Sequence, residues 1–178
     1  MENLSQRIKQ MDDFTVVRAL EHVSSTLLSD LESDADELVD SLPAAVAKQP
    51  ELEALVGLLR GGDNRQLPAA VSVNVARGAL LLLAERPELS ELVEASLASY
   101  KDNRAMAAEI LSAGAAISMI IVAATTSVKF KSKHVSGSKH AATPAVLGAI
   151  TELVKAVASV LAGASPPAGK QQTGSETA

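Results

Sequence analysis

The chain has 178 residues, of which 47% are hydrophobic, 2% are aromatic and none is cysteine. This length suffices for one domain with an aliphatic core, and the missing cysteines exclude a disulfide framework and a cysteine-bound zinc site. The net charge of −5 and the shortage of aromatic side chains argue against a nucleic-acid partner, which is bound through Lys, Arg and stacking rings.

The charges divide the chain into an acidic body and a basic end. Residues 1–60 carry 12 acids and 5 bases, whereas residues 129–178 carry 2 acids and 6 bases. The first residues, MENLSQRIKQMDD, contain no apolar run of the kind found in secretory signals. We therefore expect a cytoplasmic protein, with membrane association as the alternative, and the charge asymmetry is suited to steering a partner.

The first third of the chain predicts several helices. Asp12 and Asp13 are typical helix caps, and the apolar residues after them recur every three or four positions. SDADELVDSL restarts a helix, because acids in a first turn interact favourably with the helix dipole. PELEALVGLLRGG predicts a helix that begins at Pro50 and ends at its glycines. The apolar stripe of the first helix consists of Val16, Leu20, Val23, Leu27 and Leu31.

Residues 67–86, LPAAVSVNVARGALLLLAER, are open to two interpretations. Val71, Val73 and Val75 alternate as in a strand, but the length, the initial proline and the charged end favour a buried central helix. LPAAV also occurs at residues 42–46, but the PEL phrase follows the two copies at unequal distances. We therefore infer shared helix-start residues and not a structural repeat. Two more helices are predicted in RPELSELVEASLASY and NRAMAAEILSAG.

Residues 110–128 carry no charged side chain, and lysines follow at once. The run approaches the length of a membrane span with a basic flank, but Ser, Thr and Gly dilute it and it has no aromatic belt. Its second half is rich in β-branched residues, and Val128 and Phe130 alternate with lysines. This pattern favours a small β-hairpin or strand pair near residues 117–133. A membrane span and a buried helix are the alternatives.

A basic cluster follows this run and is the one local feature that suggests a ligand. Four lysines, with His134 and His140, would suit an anion or an acidic protein surface. The alternative is a solvated strand edge, since lysines commonly prevent edge-to-edge aggregation. The candidate partner or anion contacts are Lys129, Lys131, Lys133 and Lys139.

The segment TPAVLGAITELVKAVASVLAG predicts the clearest helix of the chain. Thr143 is a candidate cap, Pro144 occupies the first turn and Gly163 can end the helix. Its apolar positions recur at spacings of four and three residues, and we interpret them as an interaction stripe. The tail, ASPPAGKQQTGSETA at residues 164–178, has a composition typical of disorder. The stripe consists of Val146, Ile150, Leu153, Val157 and Val160.

No motif indicates catalysis or a metal site. His134 and His140 are six residues apart, which is not the helical spacing of a zinc pair. His22 lies three and four residues before Ser25 and Thr26, but neither an orienting acid nor an oxyanion site is indicated. We expect no catalytic residue, no metal and no cofactor.

Together these patterns predict a mainly α protein, with a compact multi-helix domain over residues 1–163. A β-hairpin within residues 117–140 and a disordered tail at 164–178 complete the predicted organisation. The functional hypothesis is a non-enzymatic interaction or adaptor module, which binds a protein partner or a second copy through an apolar helical face or the basic strand edge. The alternative is a small membrane-inserting effector or toxin-like protein that uses residues 110–128 as its span.

Overall fold

The computed structural model describes residues 3–30, 35–62, 65–100, 111–125 and 143–163. Within these ranges 83% of the residues are helical, in nine helices, and no strand is present. The predicted mainly α class is therefore confirmed. The helices are α1 (Leu4–Gln10), α2 (Asp13–Asp30), α3 (Ala35–Asp40), α4 (Ala44–Ala47), α5 (Pro50–Arg60), α6 (Ala69–Ala84), α7 (Pro87–Ser99), α8 (Ala113–Ala124) and α9 (Pro144–Gly163).

Helix starts follow the local sequence signals. Asp12 accepts hydrogen bonds from the backbone N–H of Thr15 at 3.0 Å and from its hydroxyl at 2.8 Å, at the start of α2. Pro50 and Pro87 each begin a helix, where the missing proline N–H costs nothing. Ser112 accepts from the backbone N–H of Ala115 and caps α8.

Helices α6 and α8 form the centre of the core. Helix α6 contacts α1, α2, α7, α8 and α9, and α8 also contacts α2, α3, α5 and α9. The start of α8 is fixed by the loop before α6: the Leu67 N–H donates to the Leu111 carbonyl at 2.9 Å, and the Ala113 N–H donates to Arg65 at 2.7 Å. The hydroxyl of buried Ser72 joins the same two segments, since it donates to the Leu67 carbonyl and accepts from the Leu111 N–H.

The strand predicted over the first part of residues 117–133 is wrong, because residues 113–124 form helix α8. Its β-branched residues, including Ile117, Ile120 and Val122, are buried on all sides among other helices. Tertiary packing therefore outweighs their strand preference. The rest of the predicted hairpin, to residue 140, lies outside the described residues.

Helix α8 also differs from the predicted membrane span of residues 110–128. It has 12 residues, a length of about 18 Å, whereas a span must cross about 30 Å of hydrocarbon. The chain is extended at Thr125, where the helix ends. The buried-helix alternative is the one that matches these residues.

The ambiguous segment after Leu67 is helical, which is the favoured one of its two interpretations. Residues 71–75 lie in α6, where Val75 is fully buried and Val71 is partly buried against the core. The division into a domain over residues 1–163 and a disordered tail stays a prediction, because residues 164–178 lie outside the described part.

Candidate protein-interaction surface

The predicted interaction stripe of α9 packs into the core of this same chain. Ile150 and Val157 have no exposed surface, and Val146, Leu153 and Val160 are partly buried against the core. Helix α9 contacts α4, α5, α6 and α8 through this side. The stripe is therefore accounted for by packing within the chain, as expected for the apolar face of an amphipathic helix.

The opposite side of α9, which we call the outward face, is exposed and consists mainly of small residues. A Cβ atom built on Gly148 or Gly163 would meet nothing within 4 Å, so the space in front of these glycines is open. This face gives no clear signal in the sequence, because Ala, Gly and Ser contribute little to an apolar pattern. Its exposed residues are Pro144, Ala145, Gly148, Ala149, Glu152, Lys155, Ser159, Ala162 and Gly163.

Helix α9 is apolar and lies partly at the surface. Among the described residues it is the one helix long and apolar enough to cross a membrane, and 22% of the residues in its apolar stretch are buried. Its exposed residues are small or charged, and none of its large hydrophobic side chains is exposed.

An open cleft of about 500 Å³ lies between α5 and α9, beside the outward face. Its walls are mainly alanine and leucine side chains, and two charged residues, Glu51 and Arg65, also line it. Arg65 donates to the carbonyl of Leu161 at 3.4 Å, so its guanidinium lies at the last turn of α9. The apolar lining residues are Pro50, Ala54, Leu55, Leu58, Ala158, Leu161 and Ala162.

His22 contacts a serine, but a different one from those in its own helix. Its Nε2 lies 3.1 Å from the hydroxyl of Ser99 in α7, while Ser25 and Thr26 donate their hydroxyls to the His22 carbonyl. The Ser99 hydroxyl in turn donates to the carbonyl of Ser96 at 2.8 Å. The Ser99 hydroxyl therefore lies between the His22 imidazole and the Ser96 carbonyl.

The His22–Ser99 contact therefore braces α2 against α7. The ring of Tyr100 lies 5.8 Å from that of His22 and adds to the same contact. No local pattern could reveal it, because the two residues are 77 positions apart. Within the described ranges, no group of three or more His, Asp or Glu residues could hold a metal ion.

The basic cluster predicted as a partner or anion contact lies outside the described residues. Lys129, Lys131, Lys133 and Lys139, with the two neighbouring histidines, all fall between residues 126 and 142. Their role stays a prediction.

Comparison with known proteins gives no relative from which a function could be transferred. No protein-family model, no curated protein and no solved structure matches the chain. On the chain's own surface, the cleft and the outward face of α9 adjoin.

Proposed function

We propose that this chain is a non-enzymatic protein–protein interaction or adaptor module of the cytoplasm. The observation that supports it is the open apolar cleft between α5 and α9, next to the outward face of α9. The bound partner covers both, and the chemistry of the interaction is apolar burial with a few oriented charges.

The composition of the cleft favours a helix as the bound element. Laying an apolar helix face into an apolar groove is a common recognition mode, and small walls of Ala54, Ala158 and Ala162 permit close approach. Burial of apolar surface contributes about 25 cal/mol per Å² before the costs of association. Glu51 and Arg65 supply opposite charges at the rim, which can fix the direction of the partner.

A photo-crosslinking residue at position 158 tests this proposal in cells. Ala158 lines the cleft, and Glu91, an exposed residue of α7, is the matched control position. We expect crosslinked protein adducts, identified by mass spectrometry, from position 158 and not from position 91. The substitution Ala54→Arg in the same chain should remove them, because it fills the cleft from an exposed site. Equal adducts from both positions, or adducts that survive Ala54→Arg, would contradict the proposal.

The apolar character of α9 favours a second candidate function, membrane association. Helix α9 would lie in the lipid interface, because Glu152 and Lys155 occupy its middle and are costly at the bilayer centre. The chain has no Trp, so Ala149→Trp places a single fluorophore on the outward face. A blue shift of its emission with vesicles of zwitterionic and anionic phospholipid would favour this candidate, whereas the interaction module predicts no shift.

A further inference from the structure

The outward face of α9 contains a regular seam. Six exposed residues follow one another at spacings of three, four, three, four and three, which is the spacing that brings one helix against another. The inward stripe of the same helix packs against the core, and the seam lies on the opposite, exposed side. The seam consists of Ala145, Gly148, Glu152, Lys155, Ser159 and Ala162.

The order of residue types in the seam is the same from either end: two small residues, then a charge at the centre. In an antiparallel pair of these helices, with the two-fold axis between positions 152 and 155, Ala145 faces Ala162 of the second copy. Gly148 then faces Ser159, and Glu152 faces Lys155. Every small residue meets a small residue and every acid meets a base, as a self-complementary two-fold interface requires.

Within the described ranges the two charges have no partner. Neither Glu152 nor Lys155 makes an ion pair or hydrogen bond with any described residue. The antiparallel pair gives each of them an opposite charge, twice over. A parallel pair in register would instead place Glu152 against Glu152 and Lys155 against Lys155, so the charges select the antiparallel direction.

The backbone of the seam permits a close approach. Gly148 has open space in front of its Cα, and the alanines and the serine project little beyond the helix. Helices with such contacts pack at the short end of the usual interaxial range of about 8–10 Å. The first turn of the second copy's α9 then lies against the last turn of this α9, where Ala158 and Ala162 line the cleft.

We infer that the outward face of α9 binds a second copy of this chain, through antiparallel pairing of the two α9 helices. This inference rests on the proposed function and names the partner. One pair of helices is a small interface, so we expect a dissociation constant on the order of 10 µM, with rapid exchange.

Sedimentation velocity of the full chain over a concentration series tests the inference. The wild type should shift from 18.4 kDa towards twice that mass. Glu152→Lys or Lys155→Glu alone should weaken the dimer at least about tenfold, because each places like charges opposite one another at two symmetric points. The double exchange of both residues in one chain, and an equimolar mixture of the two single variants, should restore it.

Two glycines separate a blocked interface from a damaged fold. Gly148→Leu should abolish the dimer, since the side chain fills the close contact, while leucine favours the helix more than glycine does. Gly57→Leu is the matched control, because Gly57 is also helical, exposed and free of neighbours within 4 Å. It should leave the dimer unchanged.

Engineered thiols test the direction of the pair, because the chain has no cysteine of its own. Mixed Ala145→Cys and Ala162→Cys chains, one of them carrying a mass tag, should form the mixed disulfide on mild oxidation. Disulfides between identical variants would indicate a parallel pair and would overturn the inference.

Different experimental results would contradict the α9 pair and the proposed interaction module. A full chain that stays at 18.4 kDa at every soluble concentration, or a dimer that tolerates Lys155→Glu, overturns the α9 pair. Adducts of other proteins at position 158 would still support the interaction module in that case.

Discussion

Single arginines hold distant parts of the backbone together in this structure. The guanidinium of Arg77, in α6, donates to the carbonyls of Ile8, Lys9 and Met11, each at 3.0 Å, and to Asp13 at 3.2 Å. These carbonyls end α1, where no intrahelical donor is left for them. One side chain thereby fixes the N-terminal helix to the central one.

The substitution Arg77→Lys tests this role. We expect a loss of about 1–3 kcal/mol in the free energy of unfolding, because lysine cannot reach several acceptors at once. Denaturant unfolding followed by circular dichroism measures it. Arg18→Lys is the control, since Arg18 has similar exposure and its partner among the described residues is Glu21 in its own helix. Its effect should stay below about 0.5 kcal/mol. Equal losses for the two variants would refute the special role of Arg77.

Arg86 holds the other end of the core in the same manner. It is 7% exposed, pairs with Glu88 and donates to the carbonyls of Val122 and Thr125, where α8 ends. Arg86→Met should cost about 3–5 kcal/mol, because it removes the guanidinium that pairs with the buried Glu88 carboxylate and with two carbonyls at the end of α8. Adding Glu88→Gln should recover part of the loss in thermal unfolding, and a double variant no more stable than Arg86→Met would argue against a charge effect.

The sequence could not reveal either arginine's role. Arg77 and Arg86 are ordinary charged residues in their local patterns, and the carbonyls that they bind lie in other segments, as far as 69 positions away. The helix caps at Asp12, Ser112 and Thr143 are local contacts, because each side chain accepts from a backbone N–H three residues further along. Caps of this kind can be predicted from the local sequence.

At the scale of elements, α8 shows where composition misleads. Its β-branched residues predict a strand and its lack of charge resembles a span, yet both properties also suit a short helix enclosed by other helices. Periodicity cannot distinguish these cases when every face is apolar. The inward stripe of α9 is easier to predict from the sequence, because that helix has one apolar, inward face and one exposed face of small and charged residues.

A core substitution in α8 checks that it is interior. Ile120 is 1% exposed, and Ile120→Ala should cost about 2–5 kcal/mol through lost burial and the cavity left behind. Ala149→Ser on the outward face of α9 should cost less than about 0.5 kcal/mol. Equal midpoints for the two variants in denaturant would contradict the placement of α8.

Two glycines on facing helices should respond differently to alanine. Gly148→Ala should stabilise the fold by about 0.5–1 kcal/mol, because its site is open and alanine favours the helix. At Gly78 a Cβ would lie 2.8 Å from a methyl of Leu153, so the Leu153 side chain has to move and Gly78→Ala should gain less than Gly148→Ala. Thermal midpoints give the comparison, and an equal gain at both sites would show that α6 and α9 are not so closely packed.

At the scale of the whole molecule, the sequence predicted the helical class and the amphipathic C-terminal helix, but not the surface they create. The cleft arises because α5 and α9, about 100 residues apart in the chain, are held side by side, partly through the 2.8 Å hydrogen bond from Gln49 to Thr151. Small residues line the cleft, and their local sequence does not show that they face it. The proposed binding surface is therefore a property of the assembled helices.

The central claim is that the outward face of α9 meets protein and not lipid. Fractionation of the full-length chain from cells, with high-salt and alkaline washes of the membrane pellet, tests it most directly. We predict recovery in the soluble fraction, or release by the first wash, with α9 exposed to protein partners. Retention after the high-salt wash would indicate that α9 lies in the lipid interface and would contradict a protein-binding outward face.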